Sequence, residues 1–466
     1  MSHPGTLACP LKVAIVGAGP SGFYTAEHLL KQWGDRVGVD IFDRLPTPYG
    51  LVRGGVAPDH QKIKTVTRVY DRIAARPNVR FFGNVELGTH LTIDDLRNCY
   101  HQITLSTGAQ TDRNLGIPGE ALRGSHAATE FVAWYNGHPD YRERQFNLSG
   151  QRAAVLGVGN VAVDVTRILS RRPEELARTD IADYALKALR QSRIRELWLL
   201  GRRGPAQAAF TNPEIKELGE LPEVDTVVLP EEVELDPLSR EFLERSGDSS
   251  IEKKINILRS YSTRKAGRNP RRLTIRFLVS PVEIRGDEKG KVKSLRLVRN
   301  ELYATDSGTL RPRPTNNFEE LSVDLVFRSV GYRGVALPGV PFDEKRGVIP
   351  NDKGRVLDSP GGNPIRGVYA AGWIKRGPLG VIGTNKPDAL ETVNCMVEDF
   401  ASGAVLVPQY AGIVESEELV RRKQPRYVSF EDWRRLDDIE VARGLKLGRP
   451  RLKLTSVEDM LSALGR

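Results

Sequence analysis

Apolar residues fall along this chain in two rhythms. Short, nearly continuous β-type runs begin near residues 12, 37, 101, 152, 196 and 325, as expected of strands covered on both faces. After the first run, Phe23, Ala26, Leu29 and Leu30 recur at the spacing of one helix face, so residues 12–43 predict a β-α-β unit. Residues 44–60, RLPTPYGLVRGGVAPDH, keep neither period and are too apolar and aromatic for a linker. A loop of that kind usually covers a ligand. A helix over about 61–75, a strand near 79–86 and a strand within 101–108 complete a first sheet.

A new unit opens near residue 111 with the turn-rich RNLGIPGE. Residues 129–137 predict a helix and 152–200 a second β-α-β unit, its 171–195 portion polar. Residues 235–270 form a charged excursion, 273–300 alternate as β structure does, and LVFRSVGYR (325–333) supplies a closing strand. Residues 367–395 read as strand, Gly-rich turn and helix, which returns the chain to its first domain. The expected fold class is α/β, with two Rossmann-like nucleotide-binding domains. One, 111–331, is inserted into the other, which is split into 1–110 and 332–466 with a C-terminal tail.

Glycines decide what these units hold. KVAIVGAGPSG (12–22) and AAVLGVGNVA (153–162) each end a β-type run in glycines that open a helix. The first Gly makes the tight turn and the second lets backbone approach a pyrophosphate. The third small residue lets helix pack on strand, and the diphosphate sits on the helix N-terminus. Two such turns predict two dinucleotides, and hydride passing from one to the other.

The residues beyond each turn tell the two apart. The run VGVDIFD ends at Asp43, 26 residues beyond Gly17. An acidic side chain there accepts hydrogen bonds from an adenosine ribose and repels a 2′-phosphate, so this site suits FAD or NAD. The run IRELWLLGRRGP ends instead at Arg202 and Arg203. Two guanidiniums suit a phosphate dianion, so this site suits NADPH. The plain alternative for the pair is a solvated strand end.

Composition narrows the rest. The net charge of +10 among 466 residues favours acidic partners. No RNP-type aromatic pattern, zinc finger or long basic run points to nucleic acid. Cys9, Cys99 and Cys395 form no C-x-x-C pair, so no active-site disulfide, iron–sulfur cluster or zinc site is expected. Three scattered cysteines fit a reducing, cytoplasmic setting. No apolar stretch reaches the ~18 residues of a membrane span. About ten residues precede the first strand, too few for a signal or transit peptide. The Asn147-Leu-Ser149 sequon carries no meaning in the cytosol.

Together the segments resemble the adrenodoxin reductase type of ferredoxin–NADP reductase, bacterial members included. The matching pieces are VAIVGAGPSGFYTAEHLL, PTPYGLVRGGVAPDH, FFGNVELG, IPGE, GVGNVAVDV with RIL, LRQSR, GRRGP, GVIPN, GWIKRGPLGVIGTN and SFEDWRRLD. They occur in family order along nearly the whole chain, and the GLVR–GVAPDH and GWIKRGP blocks are specific.

The resemblance implies an enzyme that oxidises NADPH on FAD and passes electrons singly to a small iron–sulfur protein. It implies that Gly17, Gly19, Ser21 and Gly22 lie along the FAD diphosphate and that Asp43 holds the ribose. Leu51, Leu87 and Arg113 match FAD contacts, and Trp373 with Gly380, Val381 and Ile382 would lie by the isoalloxazine. Val158, Gly159, Asn160, Val161, Arg202, Arg203 and Glu214 match the NADP site, and Gly380 would also touch nicotinamide. Three positions depart from the family pattern. Asp43 stands where Glu is usual, Leu379 where Thr is common, and Val158 replaces a polar residue.

Hydride transfer to a flavin needs no side-chain nucleophile or metal. Asp59 and His60 are the candidates for proton handling, with loop-fixing hydrogen bonds as the alternative role. The expected partner is an acidic ferredoxin-type protein, with no nucleic acid or membrane and a monomer or weak dimer. A flavin monooxygenase would share both nucleotide sites but needs a substrate pocket. A disulfide reductase is disfavoured by the missing C-x-x-C. A nucleotide-sensing or RNA-binding protein is the rival outside enzymes.

Overall fold

A computed structural model describes residues 4–265, 267–410 and 412–466. Its contacts divide into two compact units. The first comprises Met1–Thr111, Asn136–Arg142 and Gly331–Arg466; the second comprises Asp112–Tyr135 and Glu143–Val330.

The first unit is built on a seven-stranded sheet. Its order is Asn351–Asp352, Arg355–Leu357, Pro364–Ala370, Gln102–Leu105, Leu11–Val16, Val37–Phe42, Val79–Phe82. The last five strands run parallel, and the first two are added antiparallel. Every residue of Leu11–Val16 is buried, which is why that run is uniformly apolar apart from Lys12. Helices Pro20–Trp33 and Asn385–Ala401 share one core with Phe23, Leu29, Ala389 and Met396. Phe42, Phe82, Leu96, Ile103 and Ile374 fill a second core. Leu11–Val16 lies between its sequence neighbour Val37–Phe42 and the later strand Gln102–Leu105, so the crevice at its carboxyl end is a topological switch point.

The helix expected over 61–75 is two pieces, Gln61–Lys64 and Thr67–Ala74. Between them stand Thr65 and Val66, and the hydroxyls of Thr65 and Thr67 bond the carbonyls of Lys62 and Lys64. Such side-chain bonds compete with the helical ladder. The strand near 79–86 stops at Phe82, because Asn84 turns at φ 60°.

The second unit carries a six-stranded sheet, parallel throughout. Its order is Ser125–Ala127, Leu325–Arg328, Arg152–Leu156, Glu196–Leu200, Arg271–Arg276, Val224–Val228. The alternating region forms an antiparallel sheet of Val279–Gly286, Val292–Ala304 and Leu310–Ser322. The charged excursion is two helices, Pro237–Ser246 and Ser249–Ser262, N-capped by Asp236 and Asp248.

One boundary differs from the sequence reading. Asn136–Arg142, which the range 111–331 includes, packs with the first unit. Asp140 pairs with Arg44 at 2.6 Å, and Lys453 Nζ donates to Asn136 O at 3.0 Å. No helix among the described residues is long and apolar enough to cross a membrane.

Candidate functional site

In the first turn, Gly17 takes φ 111°, and a Cβ on it would overlap the Ser106 carbonyl. Its N–H donates to Phe42 O at 2.7 Å. Gly22 lies so close beneath that a Cβ there would overlap Gly17 O. Gly19 is the opposite case, since a Cβ on it would meet nothing within 4 Å. Gly19 also N-caps helix Pro20–Trp33 with no side chain bonded to the first-turn N–H groups. An open cradle before uncapped amides fits a phosphate.

Asp43 follows the second strand. Its carboxylate accepts the N–H of Ala18 at 2.9 Å and of Leu45 at 3.0 Å, which ties the glycine turn to the loop. Those two bonds leave acceptor sites on each oxygen for ribose hydroxyls. Burial pushes this carboxyl above its ordinary value, and the two N–H groups and Arg44 partly offset that.

The loop beyond lies against the turn. Tyr49 N–H donates to Ala18 O at 2.7 Å, and Leu51 is half-buried on the helical turn Leu51–Gly54. Asp59 and His60 follow, both half-buried. Leu87 differs: its side chain belongs to the core with Phe42, Phe82 and Leu91.

The returning segment meets the same helix. Ser21 Oγ donates to Asn385 Oδ1 at 2.9 Å, so its hydroxyl links helix Pro20–Trp33 to helix Asn385–Ala401. Gly372, at φ 79°, leaves no space for a Cβ against Ser21, and its N–H donates to Asp388 at 2.5 Å. Arg376 binds Asp388 at 3.2 Å and Asn385 at 3.0 Å. Trp373 is half-buried, donates Nε1 to Leu379 O at 3.2 Å, and its ring lies 5.4 Å from that of Tyr332. Gly380, at φ 84°, Val381 and Ile382 lead into helix Asn385–Ala401, whose N-terminus has no side-chain cap. Leu379 and Val381 are 72% and 53% exposed there.

The second unit repeats the turn. Gly157 takes φ 134° with no room for a Cβ against Ser329 O, and its N–H donates to Leu200 O at 2.9 Å. Gly159 caps helix Asn160–Ser170 without a side-chain bond, and a Cβ on it would meet nothing within 4 Å. Val158 and Val161 are half-buried beside it, and Asn160 Oδ1 accepts Thr211 N–H at 2.9 Å. Arg202 is exposed and Arg203 half-buried. Neither guanidinium has a carboxylate partner among the described residues. Burial, then the charge of Arg202, lowers the Arg203 pKa. Glu214 accepts from Arg167 at 3.0 Å, and Arg167 is fully buried and also holds Asp164 at 2.7 Å.

The structure thus gathers the glycine turn, Asp43, Leu51, Asp59, His60, Leu87, Trp373 and Gly380–Ile382 in one unit. Val158–Val161, Arg202, Arg203 and Glu214 lie in the other. Arg113, expected at FAD, is an exposed residue of the second unit. Sequence reasoning missed Asn385, Asp388, Arg376 and Arg167. The signal for Arg167 was local, an acid–base pair at i, i+3 with Asp164.

Two glycine turns at strand ends, one followed by an acid and one by two arginines with no carboxylate partner among the described residues, fit a two-nucleotide oxidoreductase of Rossmann type. A family model described as FAD-NAD(P)-binding matches residues 14–74. The chain is 46% identical over 456 residues to NADPH-ferredoxin reductase FprA of Mycobacterium leprae, covering 96% of this chain and 97% of that protein. It is 41% identical over 465 residues to the mitochondrial NADPH:adrenodoxin oxidoreductase of Arabidopsis thaliana, covering 97% and 95%. The structure of Mycobacterium tuberculosis FprA in complex with NADPH superposes with a TM-score of 0.91 at 44% identity, covering 98% of this chain and all of that one. The chain belongs to the adrenodoxin reductase-type family of NADPH–ferredoxin reductases.

Proposed function

We propose that this protein is an FAD-dependent oxidoreductase that takes hydride from NADPH and delivers single electrons to a ferredoxin-type iron–sulfur protein. The observation that carries the reading is the opposite chemistry closing two turns of one shape: Asp43 at the first, Arg202 and Arg203 at the second. FAD, when bound, accepts two electrons as hydride and returns them one at a time, so the protein supplies position and charge.

In this reading the first turn, Gly17 to Gly22, holds the FAD diphosphate and Asp43 its ribose. Leu51 adds a contact, and Trp373 with Gly380, Val381 and Ile382 lies by the flavin ring. The uncapped end of helix Asn385–Ala401 stabilises negative charge there. Asp59 and His60 handle protons on the covering loop. Val158, Gly159, Asn160 and Val161 line the NADPH diphosphate, with Glu214 alongside. Arg202 and Arg203 bind the 2′-phosphate. The partner is an acidic ferredoxin, steered by the net charge of +10, in the cytoplasm and without nucleic acid or membrane.

The test is NADPH-driven reduction of cytochrome c with and without added ferredoxin. The expected result is a rate that ferredoxin raises many-fold and that NADH does not support. Oxygen uptake driven by an organic substrate and indifferent to ferredoxin would instead identify a monooxygenase.

A further inference from the structure

The loop over the first glycine turn adopts a backbone that its own sequence does not favour. Tyr49 takes φ 85°, in the left-handed region, and Gly50 follows at φ 48°. A bulky residue keeps such a conformation only where its surroundings over-determine it. The conformation matters because it brings the loop onto the turn. Tyr49 N–H reaches Ala18 O, and a Cβ on Gly50 would stand 3.1 Å from Gly19 Cα.

The constraint comes from the far end of the chain. Helix Phe430–Leu445 starts with a capping box between Ser429 and Asp432. Trp433, 1% exposed, donates Nε1 to Tyr49 Oη at 3.2 Å, and Tyr49 Oη donates to Asp71. The Arg53 guanidinium lies 5.1 Å from the Trp433 ring. Glu440 has no exposed surface, and its two oxygens accept both terminal nitrogens of Arg53, at 2.8 and 2.5 Å. The same carboxylate accepts Arg451 at 3.3 Å and Leu454 N–H at 2.9 Å. Lys453 Nζ donates to Arg53 O at 3.2 Å. The helical turn Leu51–Gly54 is therefore gripped by both the side chain and the carbonyl of Arg53, from residues some 400 positions away.

A buried ion pair is a weak source of net stability against an apolar replacement. What it fixes is direction, since guanidinium and carboxylate meet in one plane through two parallel bonds. We propose that Glu440 is a positioning residue for FAD: through Arg53 it holds the Leu51–Gly54 turn against Gly19, so that the tail controls how fast the cofactor leaves. This rests on the reading that FAD lies along the first glycine turn.

The experiment measures FAD release from the holoenzyme as the rise of free-flavin fluorescence on dilution, for wild type, Glu440→Gln, Arg53→Lys and the double variant. NADPH KM at saturating FAD is measured beside it. Losing one charged hydrogen bond of the fork should speed release by about tenfold or more. The double variant should release no faster than the quicker single variant, because the pair acts as one unit. NADPH KM should stay within about twofold, since it reports uniform binding at the other turn. Release and NADPH KM shifting together would make Glu440 merely structural and overturn the proposal. If Glu440→Gln does not accumulate as folded protein, Arg53→Lys keeps the positive charge and gives up the two-bond fork to Glu440; unchanged release from it overturns the proposal equally. Wild-type protein that takes up no FAD overturns the reading of the first turn itself, whereas variants that release FAD at the wild-type rate overturn this proposal alone.

Discussion

The two glycine turns share a backbone and part company one residue beyond it. Gly17 and Gly157 both donate to the last carbonyl of the next strand, Phe42 or Leu200. Ser106 and Ser329 both donate back to the last carbonyl of the first strand, Val16 or Leu156. After Phe42 comes Asp43; after Leu200 comes Gly201, where a Cβ would stand 2.9 Å from Val158 Cγ1. Val158 thus crowds any side chain at that position of the second turn, and the next two residues are arginines with no carboxylate partner among the described residues. The backbone makes the same turn twice, and in the proposed reading the side chain at the following strand end sets which ribose each turn accepts.

The third small position offers the sharpest break of this comparison. It is Gly22 in the first turn and Ala162 in the second. A Cβ on Gly22 overlaps Gly17 O, whereas Ala162 already buries one with no exposed surface. Gly22→Ala should force helix Pro20–Trp33 off the sheet and give protein that stays colourless after incubation with FAD. The reciprocal Ala162→Gly should cost only about 0.5–1 kcal/mol of stability, the usual cost of a helical glycine. Flavin absorbance and a denaturant titration check the two. A yellow Gly22→Ala variant with full FAD content would show that the turns do not differ in this way.

The arginine pair comes next in size. Each charged hydrogen bond to a 2′-phosphate contributes about 1.5–3 kcal/mol. Arg203→Ala should therefore raise NADPH KM roughly ten- to a hundredfold and leave NADH nearly unchanged. Equal losses with both nucleotides would reduce Arg202 and Arg203 to a structural strand end and remove half of the contrast.

These local features were legible because local geometry enforces them. Gly17 and Gly157 need positive φ, and Gly22 needs the absence of a Cβ, so the sequence has few alternatives there. The joining of Asn136–Arg142 to the first unit was not legible, since it depends on Arg44 and Lys453, distant in sequence and unmarked by any period. Likewise nothing near Glu440 announces Arg53 as its partner, or Arg167 near Glu214. Buried ion pairs of this kind are fixed by tertiary packing. Ser21 shows the limit from the other side, because its place in the motif was clear while its bond to Asn385 was not.

The smallest expected effect concerns Asp43 itself, the residue that marks the first turn. Asn in its place keeps one acceptor and turns the other atom into a donor facing the N–H of Ala18 or Leu45. One of those bonds and one acceptor for the ribose are lost, so Asp43→Asn should weaken FAD binding about tenfold, the scale of one hydrogen bond to a charged group. The pH dependence separates the two proteins further. Burial raises the Asp43 carboxyl above its ordinary 3.8, so it takes up a proton at a higher pH than a free carboxyl. A protonated carboxyl loses an acceptor, and wild-type FAD affinity should fall as pH drops through that raised value. Stability of the FAD-free protein carries the opposite sign: protonation relieves the buried charge, so this group's contribution is favourable on the acid side and is lost as pH rises. Asp43→Asn has no such group. FAD titrations of both proteins between pH 7 and 4 should therefore show a difference that shrinks with acidity. A constant gap would mean that the carboxylate at the first turn does not meet the ribose, and that its bonds to Ala18 and Leu45 are its whole role.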